Sequence, residues 1–388
     1  MASSKRSSSS LPFELVEEIL YMIPIESLAR FKSTCKQWYA LIKDKRFIYK
    51  HFDLSHKRFI QVDFHNNLVK VFNPETKALS SLQGPTKIRA MIHCDGLFLC
   101  KFWESSGTDY TSRKLAVWNP FLRPVKWIKP SNFYKRDDVY GFGYDKVSRD
   151  KYKILRFLDK SHIEIYEFKS KLWRSADAAL DSCVDLWFPQ HQALSMNGNM
   201  YWIARRKKKK GNSDDKTGIF IQSFDFSRET FKDIGGVVPF ETDCLGVSSD
   251  STLVISGLGG DRLSLLRLHE REKIEVWVTN KVTYDGDVVS WSKYFHITRP
   301  DHPICPSYCG FPEYFINHKT SNTMVCCGKY DATTPYYIDV DVYEMGDGDI
   351  KKHVVAGFGH SKSYAFLNIC YVYVPSLVPV LEEDEDSP

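Results

Sequence analysis

Cysteine and histidine residues are the first candidates for chemistry in this chain of 388 residues. Residues 305–309 read CPSYC, and Cys326 and Cys327 form an adjacent pair farther along the chain. A CxxxC spacing is not the usual spacing of a zinc site, and no second pair at a suitable spacing follows it. The 12 histidines are scattered and contain no HExxH motif. The sequence therefore predicts strand and loop thiols, with no metal and no cofactor.

Motifs for phosphate binding and catalysis are equally weak. Residues 257–260 read GLGG but lack the Lys-Ser/Thr that completes a phosphate-binding loop, so we expect a turn between strands. A catalytic Ser–His–Asp or Cys–His site can be assembled from distant segments with no fixed spacing in the sequence. This alternative therefore stays open. No catalytic residue is assigned.

A basic run, RRKKKK at residues 205–210, is followed by GNSDD. It fits either a nuclear-import signal or acidic-partner patch, or a solvated loop tipped by Gly-Asn-Ser turn residues. We favour the loop.

Composition and charge narrow the class of protein. The chain is 43% hydrophobic and 26% charged, which suits a globular core, and no stretch approaches the roughly 20 apolar residues of a membrane span. The start, MASSKRSSSS, lacks the apolar segment of a signal peptide. Ten cysteines without framework spacing indicate reduced thiols, so the expected location is the cytoplasm and/or the nucleus.

The net charge argues against nucleic acid as a partner. Residues 1–60 contain 11 Lys/Arg and 6 Asp/Glu, which equals the formal charge of +5 for the whole chain. The remainder is therefore balanced, and a large domain without net charge is a poor ligand for a phosphate backbone.

The residues that remain distinctive are apolar and lie near the start, in LPFELVEEILYMIPIESLARFKSTCKQWYALI. Pro12 suits the first position of a helix, and at about 100° per residue the apolar side chains cover roughly 200° of the helix surface. One stripe contains Leu11, Leu15, Ile19 and Met22, and the adjacent stripe contains Phe13, Val16, Leu20 and Ile23.

Pro24 should end this first helix. Two further helices are predicted at residues 26–33 and 35–43. The module either packs as a small bundle on the rest of the chain or docks another protein with its second apolar stripe. We favour docking, because one neighbour needs only about half of that apolar surface.

The rest of the chain repeats two kinds of hairpin from residue 68 to residue 374. Outer hairpins carry an aromatic residue before the turn, as in LAVWNPFLRPVKWI and IQSFDFSRETFKDI, and inner hairpins contain pairs such as Asp95-Gly96 and Asn197-Gly198. The outer turns lie near Pro74, Pro120, Lys169, Ser227, Asn280 and Asp347.

Two hairpins per period make one four-stranded antiparallel unit, and a ring of such units removes exposed sheet edges. The fold class predicted is mainly β with a small N-terminal α module, followed by a β-propeller of six blades. Its period is near that of the kelch type, about 50 residues. The repeats start with an outer hairpin and end with an inner hairpin, SYAFLNICYVYV. To complete one blade, this last segment should pair with strands between Phe59 and Leu79. Two β-sandwiches or an irregular barrel are the alternatives.

The first segment, with DKRFIYKHF after it, resembles an F-box: the Leu-Pro start, the Ile-Leu pair, the central proline, the Leu-Ala-Arg-Phe run and the Cys-Lys-x-Trp element occur in the usual order. The resemblance implies binding to the Skp adaptor and, through it, to cullin and RING subunits. By position, the implied Skp-binding residues are Leu11, Pro12, Leu15, Ile19, Leu20, Leu28, Phe31 and Trp38.

The β region resembles the F-box-associated, kelch-like interaction domain of plant F-box proteins, through WNPFLRPVKWI, DKYKILRF, MNGNMYWIA, KIEVWVTNK and the ending YVPSLVPV. The resemblance implies a non-catalytic substrate receptor of a ubiquitin ligase, whose β domain captures a target protein. The alternative is a propeller-fold enzyme with an axial pocket. The expected organisation is a disordered leader at 1–10, an F-box at 11–55, the β domain at 59–380 and an acidic tail at 381–388.

Overall fold

The structure is a computed structural model. It describes residues 11–63, 68–85, 87–102, 114–129, 131, 138–186, 193–207, 218–234, 238, 252–269, 273–282, 289–298, 312–330, 337–346, 349–359 and 370–380. The predicted leader, the acidic tail and the CPSYC segment lie outside these residues. Within the described part of the chain, no helix is long and apolar enough to cross a membrane.

Four helices form the N-terminal module, defined here as residues 11–54. They are α1 (Phe13–Tyr21), α2 (Ile25–Phe31), α3 (Lys36–Lys43) and α4 (Lys45–Leu54). Pro12 and Pro24 directly precede α1 and α2, where a missing backbone N–H does no harm. Pro12 thus lies one position before the first helical residue rather than on it.

The fourth helix was not predicted. Asp44 Oδ1 accepts a hydrogen bond from Phe47 N at 3.1 Å, which caps the first turn of α4. Phe47, Ile48 and His51 are its buried residues, so the apolar face is narrow and interrupted by a histidine. The Asp-Lys-Arg start was the available signal, and the sequence prediction passed over it.

Twenty-five strands follow among the described residues. In chain order they are β1 (Arg58–Asp63), β2 (Leu68–Asn73), β3 (Ala78–Gln83), β4 (Ile88–Cys94), β5 (Leu97–Phe102), β6 (Leu115–Trp118), β7 (Val125–Ile128), β8 (Val139–Tyr144), β9 (Tyr152–Phe157), β10 (Ile163–Glu167), β11 (Leu172–Ser175), β12 (Val184–Leu186), β13 (Ala193–Met196), β14 (Asn199–Arg206), β15 (Gly218–Asp225), β16 (Thr230–Ile234), β17 (Thr252–Leu258), β18 (Arg262–His269), β19 (Lys273–Thr279), β20 (Trp291–Thr298), β21 (Glu313–Ile316), β22 (Thr323–Tyr330), β23 (Tyr337–Gly346), β24 (Asp349–Gly359) and β25 (Cys370–Tyr373).

These strands form six antiparallel sheets, which are the blades of a propeller. Four blades are simple four-stranded meanders: β4 to β7, β8 to β11, β17 to β20 and β21 to β24. A fifth contains β13 to β16 with the additional strand β12 beside β14. The innermost strands β4, β8, β13, β17, β21 and β25 are neighbours around the axis. The six-blade fold predicted from the repeats is confirmed, whereas β12 was not foreseen.

The predicted outer turns all fall between the third and fourth strands of a blade. Pro74 lies between β2 and β3, and Lys169 between β10 and β11. The inner pairs Asp95-Gly96 and Asn197-Gly198 join the first and second strands of their blades and have positive φ. Gly259 and Gly260 also form a turn with positive φ, as the GLGG analysis predicted.

The sixth blade closes the ring with strands from both ends of the chain. β25 pairs antiparallel with β1, in a register that joins Phe59 to Val372 and Gln61 to Cys370. Closure is therefore confirmed for residues 370–373. β1 is the second strand of this blade. The rest of the predicted C-terminal hairpin, residues 363–369, lies outside the described residues.

After β25 the chain contacts the neighbouring blade, formed by β4 to β7, and is held there by hydrogen bonds. Asn119 Nδ2 donates to the carbonyl oxygens of Ser376 and Val378, at 3.0 and 2.7 Å. Gly96 has a φ of +81°, and a Cβ placed there would lie 2.0 Å from Ser376 Cβ. The close approach of this segment thus requires glycine at the β4–β5 turn.

The helical module is joined to the propeller through Arg149, in the turn between β8 and β9. Its guanidinium donates to both carboxylate oxygens of Asp95 at 2.8 and 3.0 Å, and to both of Asp53 in α4 at 3.0 and 2.8 Å. The same group lies over the rings of Tyr49 and Phe52 of α4, at 4.6 and 5.4 Å from their centroids. One residue therefore connects α4 to two blades.

We call the contact of Arg149 with Asp95 and α4 the joint. Burial shifts the pKa values of Asp95 and Arg149 in opposite directions. It raises the pKa of the Asp95 carboxyl, while the hydrogen bonds from Arg149 oppose that rise. Burial lowers the pKa of Arg149, but its bonds to Asp95 and Asp53 outweigh burial and raise it above the ordinary value. Asp95 depends on Arg149 because a buried carboxylate without a cation is strongly disfavoured.

Replacing Gly96 with alanine tests the fastening of the C-terminal segment. Gly260 is a matched control, because its φ is +79° and nothing lies within 4 Å of an added Cβ. Both variants should lose about 1 kcal/mol from the left-handed backbone. Gly96→Ala should lose a further ~1–3 kcal/mol from overlap with Ser376. Equal unfolding free energies in denaturant titrations would contradict this account.

Replacing Arg149 with methionine tests the joint. The loss of stability should be on the order of 3 kcal/mol, because the Asp95 carboxylate stays buried without its cation. Asp53→Asn is the control: the Asp53 side chain is 57% exposed, so its loss should stay below about 1 kcal/mol. Denaturant unfolding of both full-length variants measures the difference, and losses of similar size would show that Asp95 does not depend on Arg149.

Candidate partner-binding surface

One apolar stripe of α1 is open to solvent. Leu11, Leu15, Ile19 and Met22 are 59%, 51%, 51% and 82% exposed. They are the residues that the helical wheel places in a single stripe. Contiguous exposed apolar side chains on a short helix are typical of a protein-binding site.

The adjacent stripe is only partly covered by the module: Leu20 is buried, Val16 and Ile23 are half-buried, and Phe13 is exposed. Tyr21 is also buried, and its ring stacks on Phe47 of α4 with centroids 4.8 Å apart. Leu28 of α2 is fully buried in the same core. Leu20 and Leu28 therefore belong to the core on which the exposed stripe of α1 rests. Their predicted role as direct Skp contacts stays a prediction, and it would require the module to rearrange on binding, because neither side chain has exposed surface within the chain.

Phe31 and Trp38 form a second apolar feature where α2 meets α3. Their rings pack edge to face with centroids 5.5 Å apart, and both side chains are partly exposed. Cys35 Sγ accepts a hydrogen bond from Trp38 N at 3.4 Å, which orients the first turn of α3. Pro12 is exposed beside the α1 stripe. Of the eight residues assigned to Skp binding, six thus keep accessible surface.

Two charged residues of α1 pair with residues of α4. Glu17 pairs with Arg46 at 3.3 Å, and Glu18 with Lys50 at 3.1 Å. Tyr21 donates to Glu17, and burial together with this bond raises the pKa of Tyr21. These pairs fix α1 against α4 while the opposite face stays apolar.

His51 ties the end of α1 to α4. Its Nε2 lies 2.9 Å from the carbonyl oxygen of Ile23 and donates to it. Burial lowers the pKa of His51, which favours the neutral ring. This contact holds the C-terminal end of the stripe, near Met22, in place.

A cavity of about 830 Å³ lies at the propeller axis, on the side where the chain leaves α4. It is lined by the segment from Phe52 to Lys57 and by the inner strands β4, β13, β17, β21 and β25. His93 in its wall has a pKa lowered to about 3, chiefly by burial. His93 Nε2 accepts hydrogen bonds from the backbone N–H groups of Gly96 and Val374, at 3.0 and 3.5 Å, so its lone pair is occupied.

The other motifs from the sequence have structural roles where they are described. Cys326 and Cys327 are buried in β22. Cys326 is a free thiol, whereas Cys327 is disulfide-bonded, so the prediction of reduced thiols is wrong for Cys327. No group of three metal-binding side chains occurs among the described residues. Arg205 and Arg206 belong to β14 rather than to a loop, and Arg206 pairs with Asp233. Lys207 pairs with Asp185, and residues 208–210 lie outside the described residues.

Met22 and Lys57 were not assigned to any site from the sequence. Met22 belongs to the exposed stripe and is its most exposed member, so the wheel carried a signal for it. Lys57 lines the axial cavity only because the ring closes around it, and no local pattern marks it.

Comparison with known proteins agrees with this geometry. Residues 8–50 match the F-box domain, and residues 42–380 match the F-box associated beta propeller domain. A putative F-box protein of Arabidopsis thaliana is 44% identical, covering 98% of this chain and all of its own length. Putative F-box only protein 15 of the same plant is 40% identical, covering 98% of this chain and 100% of that protein.

The names of two further Arabidopsis thaliana relatives differ in the repeat they mention. F-box/WD-40 repeat-containing protein 1 is 39% identical and covers 100% of this chain and 93% of that protein. An F-box/kelch-repeat protein is 31% identical and covers 96% of each. The kelch-like type of the blades therefore stays a prediction. With both domain matches spanning the described helices and blades, this chain belongs to the F-box proteins that carry a C-terminal F-box-associated β-propeller domain.

Proposed function

We propose that this protein is the substrate-recognition subunit of a Skp–cullin–F-box ubiquitin ligase, acting in the cytoplasm and/or the nucleus. The observation that carries the proposal is the open apolar stripe on α1 above a closed module core. The stripe docks on the Skp adaptor, which links the protein to cullin and RING subunits. The kelch-like propeller captures a target protein.

The arrangement suits a receptor that works by proximity. The helical module is held against the propeller by Arg149 and α4, while its stripe points away from these contacts and remains exposed. A target held by the propeller would therefore keep a defined position relative to the adaptor. Such positioning raises the effective concentration of the acceptor lysine near the conjugating enzyme.

A propeller-fold enzyme with an axial pocket is the alternative, and the cavity is the observation in its favour. Its polar groups, however, have structural partners. His93 accepts two backbone hydrogen bonds, and Asp95 holds Arg149. Neither is available as a general base.

The described thiols also fit a receptor without its own ubiquitin thioester. Burial raises the pKa of Cys94, Cys100 and Cys370, and the thiolate is the reactive form. Cys35 is exposed but serves as the cap of α3.

The docking proposal is tested with the double variant Leu15→Ser/Ile19→Ser. Both side chains are about half exposed, so folding should be retained. Affinity for a purified Skp adaptor should fall by at least about 2 kcal/mol, about thirtyfold in Kd, because central apolar contacts dominate such interfaces. Leu172→Ser is the matched control, since Leu172 is 66% exposed on β11 of the propeller. Undiminished binding by the double variant, measured by calorimetry, would refute the docking surface.

Leu20→Ala separates docking from folding. Because Leu20 is buried, this variant should lose about 2–5 kcal/mol of module stability and should weaken adaptor binding only through that loss. A Leu20→Ala module that keeps its stability but loses the adaptor would place Leu20 in direct contact with the partner.

The non-catalytic role is tested in a reconstituted ubiquitination reaction with Skp, cullin, RING and conjugating enzyme. All ubiquitin attached to this chain should resist an added thiol such as dithiothreitol, because receptor lysines form isopeptide bonds, whereas a cysteine intermediate is a thioester that a thiol cleaves by exchange. A ubiquitin adduct on this chain that the added thiol removes would overturn the receptor assignment in favour of a catalytic one.

A further inference from the structure

Lys57 places an ammonium group in the axial cavity. It follows α4 by three residues and directly precedes β1, so ring closure brings it to the axis. Its Nζ donates to the carbonyl oxygen of Gly257 in β17 at 2.6 Å and lies 5.9 Å from the ring centroid of Phe315. An ammonium group has three N–H donors, and this carbonyl accepts only one of them.

Lys57 has no carboxylate partner in the part of the chain that the structure describes: it occurs in none of the ion pairs there. The carboxylates around the cavity are committed elsewhere. Glu75 pairs with His56 and Lys319 at 3.1 and 3.2 Å, and Asp261 pairs with Lys281 at 2.9 Å.

Three further carboxylates line the cavity and are also engaged. Asp95 and Asp53 both form ion pairs with Arg149, and Glu313 interacts with another residue. A desolvated ammonium without a counter-charge is unfavourable. Its retention beside a cavity is a feature of functional sites rather than of ordinary packing.

Desolvation affects the basic groups in this part of the cavity. Burial lowers the pKa of His318, and the charges of Lys57, Arg262 and His56 lower it further. Burial alone lowers the pKa of Lys57, to about 8. Both shifts have the sign expected for basic groups in a partly desolvated space.

Apolar side chains make up a large part of the cavity wall, beside polar residues such as Ser195, Asn197 and Ser256. The apolar part is formed by side chains of the inner strands, among them Met91, Val254, Ile255, Phe315, Ile316 and Tyr371. A volume of about 830 Å³ is in the range of small-molecule sites, which combine apolar walls with a few fixed polar groups.

We propose that the axial cavity binds a small organic carboxylate, with its carboxylate paired to Lys57 and its apolar body against the inner strands. The carboxylate supplies acceptors for the N–H donors that Gly257 leaves unused, and it supplies the missing counter-charge. The site is bounded by Phe52 and Asp53 of α4, so an occupant would touch the joint between the helical module and the propeller. This inference is independent of the proposed adaptor role.

The test compares 2-naphthoate with 2-naphthamide on the full-length protein, by saturation-transfer NMR and by thermal unfolding. The two probes have the same apolar body and differ in charge. Naphthoate should bind and raise the unfolding temperature. The amide should bind about tenfold to hundredfold more weakly, because a charge-assisted hydrogen bond is lost. Equal binding of acid and amide, or no binding of the acid at millimolar concentration, would overturn the proposal without any variant.

Variants then assign the site. Lys57→Met should reduce naphthoate affinity to that of the amide. Lys319→Met is the matched control, since Lys319 also lines the cavity but is 62% exposed and pairs with Glu75, and it should leave the affinity nearly unchanged. Unaltered binding by Lys57→Met would refute the assignment. Inorganic phosphate binding as tightly as naphthoate would instead indicate a site for bare anions and overturn the role of the apolar walls.

The pH dependence supplies a readout that a structural role for Lys57 would not produce. Affinity should be complete at neutral pH and fall as the pH rises through about 8, where Lys57 loses its proton. The histidines facing this space do not change charge in that window, because His56, His93 and His318 have lowered pKa values and are neutral. The other charged side chains that line the cavity are those of Asp53, Glu75, Asp95, Asp261, Glu313, Arg149 and Lys319. Constant affinity through this window would contradict the pairing with Lys57.

Discussion

The antiparallel pairing of β25 with β1 is the contact on which the rest of the structure depends. Without it, the blade formed by β1, β2 and β3 would present an open edge, and five complete blades would enclose no axis. Pairing satisfies both rows of backbone groups and removes the edge. It also fixes the two ends of the domain. β1 begins directly after the helical module, and the segment beyond β25 is held by Asn119 and by the close approach at Gly96.

Closure also sets the position of the helical module. Because β1 starts only a few residues after α4, the module must lie at the end of the propeller where β1 enters the ring. Arg149 then connects α4 to the β4–β5 turn through Asp95. The apolar surface of α1 is divided accordingly: Leu20 and Tyr21 lie in the core of the module, and the stripe of Leu11, Leu15, Ile19 and Met22 is exposed.

The polar groups of the propeller are used mainly for structure. Arg156 is fully buried and pairs with Asp138 and Glu164 inside one blade, and Asp95, His93 and Asn119 hold the turns and the C-terminal segment. Such groups are satisfied by fixed partners and leave little chemistry available. Lys57 differs from them, because the carbonyl of Gly257 satisfies only one of its donors and the space beside it is a cavity.

Local patterns in the sequence determined much of this protein. The period of α1 predicted two apolar stripes, and the spacing of aromatic residues and turn pairs predicted the hairpins, the six blades and the pairing of distant ends. These features depend on residues close together in the chain, or on the rule that a sheet edge must be covered. The tertiary structure alone decided the burial of Leu20 and Leu28, the extra strand β12, the joint at Arg149 and the position of Lys57 in the cavity. Each of these results from contacts between segments far apart in sequence, and burial and charge pairing across such contacts leave no periodic signal in the chain.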